Sequence, residues 1–209
     1  MKAFKIHTIN RHRQEIDGKG ITTLIGLAGC PLQCEYCFNK EMLSVQPVKE
    51  YTETELMSAV MIDWCYFIAT GGGVTFGGGE PLLQSEMILK FMDILPENIK
   101  VNIETSLNCD NEFVEYVIRY ADEIFIDIKS MKAEVYKKYT GKNYEVMQKW
   151  LEYISAHKLQ NRCVVRIPRI PDYTSEVDIE YSVQYIRSMG FERIDRFDYI
   201  VDTESYKEF

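Results

Sequence analysis

Three cysteines fall within eight residues of the chain, in the run Gly29-Cys30-Pro31-Leu32-Gln33-Cys34-Glu35-Tyr36-Cys37. Thiolates spaced C-x3-C-x2-C on one short loop can converge on a metal centre, and three is an informative number. A closed structural zinc site takes four ligands, and His7, His12 and His157 are all remote in sequence. A cubane iron–sulfur cluster normally takes four thiolates. Three thiolates leave one iron open for a non-protein ligand, and an open coordination position is what a catalytic centre needs. Of the other cysteines, Cys65 sits among Trp64, Tyr66 and Phe67, and Cys163 precedes Val164 and Val165. Both read as buried apolar thiols. Cys109 is the one spare that could close the site as a zinc knuckle. A disulfide framework fits badly. The N-terminal Met1-Lys2-Ala3-Phe4-Lys5-Ile6-His7 has no apolar segment of signal-peptide length, and 209 residues need no covalent staples. A cytoplasmic protein is expected.

The elements that must position this loop alternate between β-rich runs and amphipathic helical runs. Ile21 to Ala28 reads as a strand that ends just before the cysteines. Thr52-Glu53-Thr54-Glu55 opens a helix with a capping box, expected to run on to about Thr70. Further strands are expected at 73–76, 100–104, 123–127, 162–167 and 194–201. The helices between them are expected at 85–95, 111–121, 131–139, 144–157 and 174–188. Strands alternating with helices of this length mean βαβ units and a parallel sheet. Six units fall short of the roughly 250 residues of an eight-fold barrel. The expected fold is therefore α/β, a partial (β/α)6 TIM-like barrel with parallel strands forming a single domain over residues 1–209; a doubly wound sheet is the runner-up.

In either architecture functional groups gather at the C-terminal ends of the strands. The Cys loop follows the first strand, Gly77-Gly78-Gly79-Glu80-Pro81 the second, and Glu104-Thr105-Ser106 the third. Asp127-Ile128-Lys129 closes the fourth strand, and Arg166 lies near the end of the fifth. A plain turn at Gly77–Gly79 and a surface pair at Asp127 and Lys129 are the bland alternatives. The run Gly71–Gly73 reads as a helix C-cap.

Composition excludes other classes. The chain is 46% hydrophobic and 12% aromatic, enough to bury a core. No apolar stretch approaches the roughly 18 residues of a membrane span. A formal net charge of −8 argues against nucleic acid as the main partner.

The Cys motif, with Tyr36 just before its last cysteine, resembles the signature of the radical S-adenosylmethionine (SAM) superfamily. More closely, the chain resembles the family of pyruvate formate-lyase activating enzyme and related glycyl-radical-enzyme activases. The matching segments are Asp17-Gly18-Lys19-Gly20, the Cys loop with Phe38-Asn39, Gly71 to Leu83, Glu104-Thr105-Ser106, Asp127-Ile128-Lys129, and Arg166. The resemblance implies one [4Fe–4S] cluster on Cys30, Cys34 and Cys37, with the amino and carboxylate groups of S-adenosylmethionine on the fourth iron. It implies reductive cleavage of that cofactor to a 5′-deoxyadenosyl radical, which takes a glycine Cα hydrogen from a partner glycyl-radical enzyme. A flavodoxin- or ferredoxin-type protein would donate the electron. Tyr36, Cys37, Phe38, Gly78, Gly79, Glu80, Thr105, Asp127, Ile128, Lys129 and Arg166 are implied to line the cofactor. The carbonyls of Gly78 and Gly79 would face its ammonium group, and Glu80 would balance the charge. A side chain at Gly79 is accordingly expected to weaken cofactor binding while sparing the cluster. Glu104, Thr105 and Asp127 correspond to residues that hold a monovalent cation, and Asp17 and Asn39 are expected at the rim, gripping the substrate backbone.

The chain departs from that family at Lys19, where a proline is usual, at Thr22, where an arginine is usual, and at Leu107, where a glycine is usual. Ile200, after Tyr199, stands where the family carries a histidine, and Phe209 falls short of the family's C-terminal segment. Three rivals remain in the same superfamily: an anaerobic ribonucleotide reductase activase, a 7-carboxy-7-deazaguanine synthase-like enzyme and a peptide-modifying enzyme. The rival from another class is a zinc-stabilised interaction module.

Overall fold

The computed structural model describes residues 2–44 and 48–199. Its strands are β1 (Phe4–Gln14), β2 (Ile21–Leu27), β3 (Lys49–Tyr51), β4 (Gly73–Gly78), β5 (Lys100–Thr105), β6 (Glu123–Asp127), β7 (Cys163–Arg169) and β8 (Ile194–Asp198). They form one sheet in the order β3-β1-β2-β4-β5-β6-β7-β8. From β2 to β8 every neighbouring pair is parallel and the order follows the chain without reversal. A doubly wound sheet reverses its strand order, so the partial-barrel expectation holds and the runner-up falls. The antiparallel strands β1 and β3, which pattern reading does not isolate, extend the sheet beyond β2. Only Phe4 and Ile6 of β1 are buried, and the rest of the strand is polar apart from the half-buried Ile9, so its apolar signal is weak.

Parallel strands usually read as continuous apolar runs because helices cover both faces. Here they alternate. Ile25, Val74, Phe76, Val101, Ile103, Ile124, Ile126, Val165 and Ile167 share one core with helix residues such as Leu56, Phe67, Phe91, Val117, Leu151 and Ile186. Phe76 stacks on Phe4 at 5.7 Å and meets Phe91 edge-on at 5.4 Å. The intervening positions, among them Thr22, Thr75, Asn102, Glu104 and Arg166, are polar and bond to one another or to the β1–β2 loop. One face of the sheet is thus covered by helices, and the other lines a polar interior.

The helices are α1 (Glu53–Val60), α2 (Trp64–Thr70), α3 (Ser85–Ile94), α4 (Val114–Tyr120), α5 (Ala133–Thr140), α6 (Glu145–Ala156) and α7 (Glu176–Ser188). The capping box at Thr52 is present, with Glu55 N–H donating to Thr52 Oγ1 at 3.2 Å and Thr52 N–H to the Glu55 carboxylate at 2.8 Å. The single helix expected as far as Thr70 is instead broken by a 3-10 turn at Met61–Asp63. Asp63 is buried there and accepts from Arg11 (2.5 Å) and Thr23 (2.6 Å), which draws the turn onto β1 and β2. Gly71 caps α2 at φ 70°, as its position predicts. Among the described residues no helix is long and apolar enough to cross a membrane.

Candidate functional site

The Cys loop leaves β2 at the C-terminal end of the parallel strands and is held from two sides. On the Gly-rich side, Gly79 N–H donates to Leu27 O (2.9 Å) and Glu80 N–H to Gly29 O (2.8 Å). On the other, the loop rides on the end of α5, with Gln33 N–H donating to Thr140 O (2.9 Å) and Glu35 N–H to Tyr139 O (3.3 Å). Cys30, Cys34 and Cys37 are all partly exposed, and Cys30 and Cys34 pack against the core. Burial pushes the Cys30 thiol up to about 12, with Glu80 and the neighbouring thiols adding to the effect. Burial pushes Cys34 up to about 11 while Lys129 pulls it back. Both thiols are protonated at neutral pH, and an iron that bound them would displace those protons. Soft thiol donors in a half-buried pocket suit iron–sulfur coordination. Among the described residues no three His, Cys, Asp or Glu side chains converge on one point as a single metal ion requires. Cys65 is exposed on α2, and Cys163 is buried at the start of β7, the end of the strand away from the Cys loop. Cys109 is buried, its thiol pushed up to about 12 by desolvation and within reach of Asn111 Nδ2 at 3.6 Å.

The Gly-rich loop differs from its expected role. A Cβ on Gly79 would lie 2.2 Å from Gly29 O, and one on Gly78, whose φ is 93°, would lie 2.9 Å from Gly26 Cα. Both glycines are demanded by contact with the protein's own backbone, so a side chain at 79 would displace the Cys loop itself. The Gly78 carbonyl already accepts from Asn39 Nδ2 at 3.1 Å. Asn39, half-exposed, therefore clasps the two loops together. Glu80 is wholly buried and accepts from Leu82 N–H (3.1 Å), Thr105 Oγ1 (2.6 Å), Ser106 N–H (2.9 Å) and Ser106 Oγ (2.6 Å). Burial pushes its carboxyl upward, and those four donors oppose the shift. Glu80 thus ties the end of β4 to the end of β5. Leu107, standing where the family has glycine, adopts φ 56° and is fully buried.

Inside the barrel, Arg166 donates to Glu104 at 2.7 Å and to Ile16 O at 2.9 Å, and its guanidinium lies 4.4 Å over the Phe125 ring. Asp127 pairs with Arg166 across the β6–β7 register. Burial pushes the Glu104 carboxyl upward despite Arg166, and the Asp127 charge adds to that shift. Burial works against the Lys129 ammonium, but Asp127, Cys34, Tyr199 and Cys37 hold it above its usual value. Of the trio expected for a cation, Glu104 is thus already paired with Arg166, and the Thr105 hydroxyl donates to Glu80. Ile128 is buried in the hydrophobic core, which leaves only its backbone for the site.

Asp17 is not at the rim. It lies in the loop between β1 and β2, at the N-terminal end of the parallel strands, and is 0% exposed. Its carboxylate takes Arg13 and the Thr22 hydroxyl, and its carbonyl accepts from Thr75 Oγ1 (2.6 Å) and Asn102 Nδ2 (3.4 Å). The loop plugs the barrel from below, and Thr22, in place of the family arginine, supplies one of the bonds that seat it.

Three residues that sequence reasoning passed over crowd the Cys loop. Tyr136 and Tyr139, one helical turn apart on α5, are both buried under it, and Tyr136 Oη accepts from Asn108 Nδ2 at 2.9 Å. Tyr199, just past β8, donates its hydroxyl to Tyr36 O and packs on the exposed Phe38 at 5.1 Å between centroids. The spacing of the two α5 tyrosines was a usable signal, and Tyr199 obeys the strand-end rule. The expectation for Ile200 lies outside the described residues. A cavity of about 750 Å³ lies elsewhere: it touches the Cys loop only at Ala28 and Gly29 and is otherwise lined by residues such as Lys5, Glu50 and Gln84.

The sequence profile of the Radical SAM superfamily matches residues 24–186. The chain is 36% identical over 128 residues to a pyruvate formate-lyase-activating enzyme of Clostridium pasteurianum, covering 61% of this chain and 53% of that one. It is 30% identical to a pyruvate formate-lyase-activating enzyme of Staphylococcus aureus (78% and 67% covered). It is 29% identical to a (2S)-3-sulfopropanediol dehydratase activating enzyme of Klebsiella oxytoca (81% and 73%). The chain thus spans about half the length of the first relative and two thirds or more of the other two. Solved structures share the fold. Streptococcus suis SuiB bound to its precursor peptide superposes with a TM-score of 0.67 at 14% identity, covering 85% of this chain and 38% of that one. The enzyme anSMEcpe with bound AdoMet gives 0.63 at 15% identity, covering 83% and 49%.

Proposed function

This chain belongs to the radical SAM superfamily, and from that premise we propose that it is a glycyl-radical-enzyme activase using one [4Fe–4S] cluster on Cys30, Cys34 and Cys37. The observation that supports this most is the loop itself: three partly buried thiols at a parallel strand end, with Cys65 and Cys163 placed elsewhere. Cys30, Cys34 and Cys37 would hold the cluster, which would supply one electron to the sulfonium of bound S-adenosylmethionine, the C–S bond breaking to methionine and a 5′-deoxyadenosyl radical able to take a hydrogen atom. The protein's part is binding, orientation and exclusion of water. Lys129 offers the positive charge that a carboxylate requires, and Asp127 the negative charge that suits an ammonium or ribose hydroxyls. Tyr199 packs Tyr36 and the exposed Phe38 together at the edge of the Cys loop. Gly79, Glu80, Thr105 and Asn39 keep the two loops in register, so they serve the cofactor through backbone position. Because Arg166 already neutralises Glu104, the arginine fills the role expected of a monovalent cation. The substrate would be the glycine Cα of a partner glycyl-radical enzyme, with a flavodoxin- or ferredoxin-type donor supplying the electron.

Anaerobic reconstitution with iron and sulfide, then incubation with S-adenosylmethionine and dithionite, tests the reading. About four irons per chain and release of 5′-deoxyadenosine are expected, both abolished by Cys30→Ala, Cys34→Ala or Cys37→Ala and kept by Cys65→Ala. A glycyl-radical signal on a partner enzyme, seen by electron paramagnetic resonance, tests the substrate. Turnover of a peptide or small molecule with no such signal would move the chain to another branch of the superfamily. One zinc held with Cys109 as fourth ligand would end the reading.

A further inference from the structure

The Tyr139 side chain is 1% exposed, yet its hydroxyl has no hydrogen-bond partner in the structure. A buried phenol left in this state is destabilising, so native proteins rarely keep one without a reason. The setting supplies a reason. The Tyr139 ring packs against Tyr36 (6.3 Å between centroids) and Tyr173 (5.0 Å), and its own carbonyl holds Glu35 N–H, in the middle of the Cys loop. Its hydroxyl shares the space beneath that loop with the Cys34 thiol and with Tyr199. Tyr199, whose own proton goes to Tyr36 O, and the Tyr36 N–H both lie beside the Tyr139 hydroxyl, but neither meets it in full hydrogen-bonding geometry. Tyr136, one turn earlier on the same helix and also close to Cys30 and Cys34, has its oxygen engaged by Asn108. Of the two phenols that α5 lays against the Cys loop, only Tyr139 has a hydroxyl with no hydrogen bond of full geometry.

We propose that the Tyr139 hydroxyl donates a hydrogen bond to a sulfur of the iron–sulfur cluster, either the Cys34 thiolate or an adjoining sulfide, and thereby raises the cluster's reduction potential. The inference rests on the reading that Cys30, Cys34 and Cys37 hold a cluster. A donor to sulfur stabilises the more negative, reduced form, because the bond strengthens as charge builds on the acceptor. The reducing electron has to enter this cluster, so the bond bears directly on the first step of the chemistry.

The test uses the full chain reconstituted anaerobically, with iron and sulfide content measured first. A chain that binds no cluster refutes the underlying reading, separately from this proposal. In cluster-loaded protein, a redox titration followed by electron paramagnetic resonance compares wild type with Tyr139→Phe. At a fixed potential the reduced-to-oxidised ratio should fall about tenfold in the variant, a midpoint about 59 mV lower for a one-electron couple. Tyr199→Phe removes a hydroxyl that already has an acceptor and should leave the midpoint where it is. An unchanged midpoint in Tyr139→Phe at full iron content, or an equal fall in Tyr199→Phe, overturns the proposal. Should Tyr139→Phe fail to hold the cluster, the wild-type protein decides. After exchange into D2O, its reduced cluster should show a deuteron coupling in electron nuclear double resonance, and a spectrum without one overturns the proposal.

Discussion

Replacing Gly79 with alanine adds one methyl group where the Gly-rich loop touches the Cys loop. Built on the present backbone, that Cβ lies 2.2 Å from Gly29 O and 2.9 Å from Leu27 O. Ordinary contact begins at 3.4 Å, so the two loops have to part by about 1 Å. The same two oxygens accept from Glu80 N–H at 2.8 Å and Gly79 N–H at 2.9 Å, and a parting of that size takes both bonds beyond hydrogen-bonding length. Each lost bond removes about 1 kcal/mol, and a buried group left unpaired adds about 1–3 kcal/mol, so the variant should lose about 3–5 kcal/mol. Urea denaturation of the iron-free protein measures this loss. Because Gly29 directly precedes Cys30, the variant should also take up less iron on reconstitution. A loss below about 1 kcal/mol would refute the reasoning. A stable, fully iron-loaded variant with weakened binding of S-adenosylmethionine would refute it too, and would return Gly79 to the ligand contact that its motif implies.

Asp17→Ala should destabilise the protein by about 3 kcal/mol in chemical denaturation, since it leaves Arg13 and the Thr22 hydroxyl without their acceptor; a neutral effect would remove the plug as a structural element. Leu107→Gly relieves a left-handed leucine worth about 1–2 kcal/mol but empties a fully buried site worth more, so it should be net destabilising by about 1–3 kcal/mol. A variant more stable than wild type would show that strain dominates. Asp178 completes the capping box of α7, and its bonds to Lys132 and Ser175 lower its carboxyl to about 2. A depressed carboxyl stabilises the fold above its unfolded value near 4 and loses that contribution as pH falls through 2. Asp178→Asn should therefore cost about 1 kcal/mol at pH 6 and nearly nothing at pH 2, and a pH-independent difference would contradict the assignment.

The alternation of β-rich and helical runs determined the six strands and their parallel pairing by itself, because period and length are local properties, whereas their sequential order was settled by the sheet. Cys30, Cys34 and Cys37 were legible for the same reason: their spacing confines three thiols to one short loop whatever surrounds it. The capping box at Thr52 and the αL cap at Gly71 are equally local. What a polar side chain does once it reaches the strand ends was not legible. Glu80, Asn39 and Asp17 carry the residue types of ligand contacts, yet each is tied to groups distant in sequence: Glu80 to Ser106, Asn39 to the Gly78 carbonyl, and Asp17, through its own carbonyl, to Thr75 and Asn102. Such assignments depend on which of several donors lies within about 3 Å, and only the packed chain sets that distance. Asp63 breaking the helix after Val60 has the same origin, since its partners Arg11 and Thr23 come from strands far earlier in the chain. Tertiary structure alone also decided that α5 should lay Tyr139 against the Cys loop with its hydroxyl unspent, for a helix pattern records which face is apolar and not what that face meets.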